Sequence, residues 1–90
     1  MPSYLIETYI ARGRTSELAA RERRARSAAE ELTQGTTRVS FDRSIHVPDD
    51  EICFYVFDAP SARDAEKAAE RAGLDPIRVV EAISSGKEKR

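Results

Sequence analysis

At 90 residues the chain has room for one small domain with a single modest core. Its 15 Lys and Arg against 16 Asp and Glu leave it nearly neutral, without the basic excess of a dedicated nucleic-acid binder. One Cys excludes an internal disulfide, and no apolar run approaches the roughly 20 residues of a membrane span. With no signal-peptide pattern at the N-terminus, the expected setting is cytoplasmic, with neither nucleic acid nor membrane as a partner.

In chain order, Ser3 to Ile10 reads as a strand, rich in β-branched and aromatic residues and bounded by Pro2 and Gly13. Alternation puts Tyr4, Ile6, Thr8 and Ile10 on one face and Leu5, Glu7 and Tyr9 on the other. Both faces are largely apolar, which suits a central strand. Thr15 to Leu32 follows as a helix, with Thr15 or Ser16 as its cap and Leu18, Ala25, Ala28, Ala29 and Leu32 as its buried stripe. The arginine run within it (Arg21, Arg23, Arg24, Arg26) invites a phosphate-binding reading. Glu17 with Arg21 and Glu22 with Arg26 are i,i+4 pairs, however, and a solvated face accounts for the run.

Thr37 to Val47 alternates as an edge strand, with Val39, Phe41, Ile45 and Val47 on one side and Ser40, Asp42, Ser44 and His46 on the other. Pro48 to Glu51 is an acidic turn, and Ile52 to Asp58 is a strand apolar on both faces. Ser61 with Asp64 resembles a capping box, opening a helix whose stripe is Ala65, Ala68, Ala69 and Ala72. Gly73, Leu74 and Pro76 end it, Ile77 to Ile83 is the last strand, and residues 84–90 form a polar tail expected to be disordered.

The order β-α-β-β-α-β defines an α+β, ferredoxin-like domain over residues 1–83, with an antiparallel four-stranded sheet and two helices on one face. The first and third strands, the two that are apolar on both sides, belong at the sheet centre. Two small helices cover only one face. The other, expected to carry Leu5, Tyr9, Tyr55 and Phe57, calls for a second copy packed sheet against sheet, a homodimeric α/β barrel.

Three segments, Met1 to Glu7, Arg43 to Ser61 and Glu70 to Ile83, carry a further likeness. The chain resembles a family of small bacterial ferredoxin-like domains often labelled nickel-binding, whose members are similar to dimeric α/β-barrel proteins. That resemblance implies a divalent transition metal, nickel first, as the ligand, and no organic cofactor. Relatives of this kind carry a His near the position of Tyr55, and this chain does not.

The residues themselves offer three kinds of chemistry. A turn of two or four residues would set His46 opposite Cys53, Ser44 opposite Tyr55 and Asp42 opposite Phe57, with opposed Cβ atoms about 5 Å apart. Imidazole and thiolate at that spacing suit nickel or zinc, with further ligands sought from Glu7, Tyr9, Asp49, Asp50, water or a partner subunit. The plainer alternative is an edge-strand His beside a buried Cys acting as a small hydrophobe. Asp49, Asp50 and Glu51 lack the ligand spacing and glycine of a calcium loop. Pro2, freed by removal of Met1, would be a tautomerase-like general base if burial or neighbouring cations lowered its amine pKa. Finally, a cleft between facing sheets, lined by Tyr9, Ser44, Tyr55 and Phe57 with Glu7, would hold a small molecule.

Overall fold

A computed structural model describes residues 1–83; the polar tail lies outside the described residues. Four strands, β1 (Ser3–Tyr9), β2 (Ser40–Val47), β3 (Ile52–Asp58) and β4 (Arg78–Ala82), form one antiparallel sheet in the order β2-β3-β1-β4. The helices are α1 (Leu18–Gln34) and α2 (Ala62–Arg71). The expected ferredoxin-like α+β fold is thus present, with the doubly apolar strands β1 and β3 at the centre.

Opposed residues of an antiparallel pair share a face, so the register fixes what the helices cover. Tyr4 lies opposite Phe57, Ile6 opposite Tyr55 and Thr8 opposite Cys53. All six are buried, and with the alanines of both helices they make the core. Tyr55 and Phe57 therefore face the helices, not the open side expected from sequence. Both faces of β3 are apolar, so its composition carried no sign of which face was which.

The open side carries Leu5 between Val56 and Val80, Glu7 between Phe54 and Arg78, and Tyr9 beside Ile52. From β2, Ile45 and Val47 join it opposite Phe54 and Ile52. The smallest extent of the molecule is 20 Å, the depth of one sheet plus one helix layer, and no described element covers this side.

Strand β2 departs from simple alternation. Phe41, not Asp42, lies opposite Phe57, and the register shifts between Phe41 and Arg43. The bulge inserts one residue and reverses the facing of everything before it. Phe41 consequently stands on the helix side, its ring 5.4 Å from Phe57 and 6.3 Å from Tyr55, while Ile45 and Val47 point to the open side.

Helix α1 also begins differently. A 3₁₀ turn over Arg12–Glu17 precedes it, and neither Thr15 nor Ser16 caps it. Instead Arg14 and Arg21 both pair with Glu17, at 2.6 and 3.1 Å, and hold its carboxyl below the usual range, Arg14 contributing most. At α2 the expected cap forms: the Asp64 N–H donates to Ser61 Oγ at 3.2 Å. Gly73, at φ 72°, closes the helix in the left-handed conformation that suits glycine, and buried Leu74 donates back to the Ala69 carbonyl.

Candidate functional site

The turn between β2 and β3 spans Pro48 to Glu51, with a 3₁₀ turn over Pro48–Asp50 and Glu51 left-handed at φ 54°. That even count sets His46 opposite Cys53 and Ser44 opposite Tyr55. All four occupy the helix side, next to the first turns of α1. Ser44 donates to the Glu22 carboxylate, and Arg21, its side chain mostly covered, donates to Glu17 and to the Tyr9 carbonyl.

Cys53 is fully buried, and burial pushes its thiol pKa up, so it is held as a neutral thiol rather than a thiolate. Thr8 locks the row by donating to the Cys53 carbonyl at 2.8 Å. His46 is half-buried at the rim. The arrangement offers one accessible imidazole with a sheltered sulfur behind it.

Tyr55 is the exceptional residue. Its side chain is fully buried, yet its hydroxyl makes no hydrogen bond among the described residues. Burial raises its pKa far above the ordinary phenol range, with the nearby Cys53 thiol adding to the shift and Arg21 opposing it. The hydroxyl therefore stays protonated, with the Cys53 sulfur and the Arg21 guanidinium as polar neighbours but no well-formed hydrogen bond to either. An orphaned buried hydroxyl costs about 1 to 3 kcal/mol. Tyr55→Phe is accordingly expected to stabilise the fold by about 1 kcal/mol, read as a higher urea midpoint at unchanged slope. A fall in the midpoint would reveal a partner for the hydroxyl.

Other residues expected at a site are separated. Glu7 projects from the open face, where Arg78 donates to it at 3.3 Å, so it cannot share an ion with His46 and Cys53. The reason is the strand period of two: Glu7 and Thr8 are neighbours in sequence, and only Thr8 faces Cys53. Among the described residues, no group of three or more His, Cys, Asp and Glu could hold a metal ion. The inter-sheet cleft loses three of its lining residues, since Tyr9 and Glu7 face the open side while Ser44, Tyr55 and Phe57 lie under the helices. Pro2 is exposed, without the burial that would lower an amine pKa, and its carbonyl accepts the Ala59 N–H at 3.1 Å.

Sequence reasoning missed Glu22 and Arg26. The expected Glu22–Arg26 pair is replaced: Glu22 takes the Ser44 hydroxyl, and Arg26 lies over the Phe41 ring, 5.1 Å from its centroid. Only the paired strand, brought beside the helix by the fold, creates that competition.

The fold and this rim of polar side chains define a single-sheet ferredoxin-like domain with one face open. No protein-family model and no curated protein matches the chain. Among solved structures it is similar to the crystal structure of SCO4226 from Streptomyces coelicolor A3(2), with a TM-score of 0.69 and 22% identity. The likeness covers 92% of this chain and 98% of that one, and it establishes the shared fold. No helix among the described residues is long and apolar enough to cross a membrane.

Proposed function

We propose that this chain is a small homodimeric binding protein that closes its open sheet face against a second copy and takes a divalent transition metal, nickel first, through His46 with Cys53 behind it. The observation that carries the metal reading is the register: His46 stands directly opposite Cys53 on one face of the sheet. Imidazole nitrogen and thiolate sulfur are both donors of the right softness for nickel or zinc. The resemblance to nickel-labelled domains is what selects nickel. With only two such protein donors in line, water completes the coordination and the binding is weak.

Because burial keeps Cys53 as a thiol, metal must displace its proton. Affinity therefore rises with pH, by up to about tenfold per unit for one released proton. Nickel titrated calorimetrically into protein free of any polyhistidine tag should show this trend. His46→Ala should weaken binding by at least the roughly tenfold that even an outer-shell partner is worth. Binding to His46→Ala as tight as to the parent refutes the assignment.

A further inference from the structure

On the helix side of the sheet, a groove of about 470 Å³ runs between the later turns of α1 and the start of β2. It exists because position 29 of the helix is an alanine, too small to fill the space beside the bulged strand. Its floor is apolar: Ala29 and Val39 are buried, and the Phe41 ring stands beside them. Its walls are fixed, since the Thr33 hydroxyl both accepts the Val39 N–H at 3.0 Å and donates to the Val39 carbonyl at 2.7 Å. That pair of hydrogen bonds ties the residue just before β2 to the helix.

Arg26 stands at the mouth. Its guanidinium rests over the Phe41 ring and makes no ion pair among the described residues. Its natural i,i+4 partner, Glu22, is held by Ser44. Glu30 also lines the groove, but it follows Arg26 by four residues, the less favourable order for a helical pair. A stacked, unpaired guanidinium above an apolar floor is a planar fork waiting for a bidentate acceptor. The volume falls in the range of about 300 to 1,000 Å³ typical of small-molecule sites.

We propose that this groove binds small monocarboxylic acids with an aromatic or branched apolar body. The carboxylate would pair with Arg26, and the body would lie on Ala29, Val39 and Phe41. One free cation among the described residues of the groove, beside the Glu30 carboxylate, favours a monoanion over a dianion such as a phosphomonoester. Neither the open sheet face nor His46 enters the site.

The test is a titration of isotope-labelled protein with phenylacetate, followed through backbone amide shifts. Saturable shifts concentrated between residues 26 and 41 are expected. Neutral phenylacetamide should bind roughly tenfold more weakly, the value of one charge-assisted bidentate contact. Arg26→Gln, at an exposed position with no ion pair to lose, should bring phenylacetate down to the level of the amide. The proposal is overturned by any of four results: no saturable shifts, shifts centred elsewhere, equal binding of acid and amide, or Arg26→Gln binding as the parent does. Tighter binding of phenylphosphonate than of phenylacetate would overturn the choice of a monoanion.

Discussion

Phe54→Asp is expected to convert the protein from a species of twice the 10.1 kDa chain mass to a single chain, as read by light scattering after size exclusion. Phe54 lies in the middle of the open face, opposite Ile45 on one neighbour and Glu7 on the other. Around it Leu5, Val56 and Val80 form an apolar row, while Ile45 and Tyr9 stand 40% and 57% exposed. Strands about 4.8 Å apart and residues about 3.4 Å apart give this face roughly 450 Å² in projection. Glu7, Arg43 and Arg78 share that face with the apolar residues, and its size is comparable to the roughly 300 to 600 Å² of the largest apolar patch on a typical monomer, a kind of patch that is often an interaction surface. Two copies meeting face to face would hide it in an isologous contact. A carboxylate buried there without a partner costs about 3 kcal/mol or more, about a hundredfold or more in dissociation constant. Ile45→Lys, nearer the edge, should weaken the dimer less. A parent that runs as one chain, or a Phe54→Asp variant that keeps the double mass, removes the sheet-to-sheet packing.

The second large effect is on the other side of the sheet. Phe57 is fully buried and meets Phe41 edge-on beneath the helices. Truncation of such a ring to alanine costs about 3 to 5 kcal/mol. At about 0.05 to 0.15 kcal/mol per residue, a chain of this length holds only about 4.5 to 13.5 kcal/mol in all. Phe57→Ala should therefore lose at least about a fifth of that stability, and at the low end of the range all of it, read as a lowered urea midpoint by far-UV circular dichroism. Phe57→Leu, which keeps most of the volume, should remain folded with a lowered midpoint. A loss below about 1 kcal/mol for the alanine variant would mean that the helix layer does not pack on this ring. The helices contribute mainly small side chains, Ala25, Ala28 and Ala29 from α1 and Ala65, Ala68 and Ala69 from α2, so the sheet's aromatics supply much of the buried volume.

Element order and strand centrality were legible in the sequence because they rest on local signals. Pro2 and Gly13 bracket the first strand, Ser61 with Asp64 opens α2, and Gly73-Leu74-Pro76 closes it. The pairing of His46 with Cys53 was legible only as the consequence of an even turn count, and the four-residue turn of the structure supplies that count. What stayed hidden was non-local. Two consecutive apolar alternations in β3 give no preference for either face, so Tyr55 and Phe57 were assigned to the open side until the pairing with Ile6 and Tyr4 fixed them. The bulge between Phe41 and Arg43 has no glycine to announce it, and without it Phe41 would point away from the helices. Arg26 looked like half of a helical ion pair because Ser44, 22 residues from Glu22, is invisible to an i,i+4 rule. The juxtaposition of His46 and Cys53 was readable for an even turn; the groove and the placement of Glu7 on the opposite face were not.

The bulge in β2 also bears on how readily this sheet edge would accept a strand from another chain. An edge strand presents unpaired N–H and C=O groups, a template on which other chains can stack into fibrils. Here that edge is kinked near its start, and Asp42 and Arg43 stand there exposed and paired at 2.6 Å. A stranger's strand laid along β2 would meet a broken hydrogen-bond ladder and a solvated pair of opposite charges. The residue that turns Phe41 inward therefore also makes the edge a poor seed for aggregation.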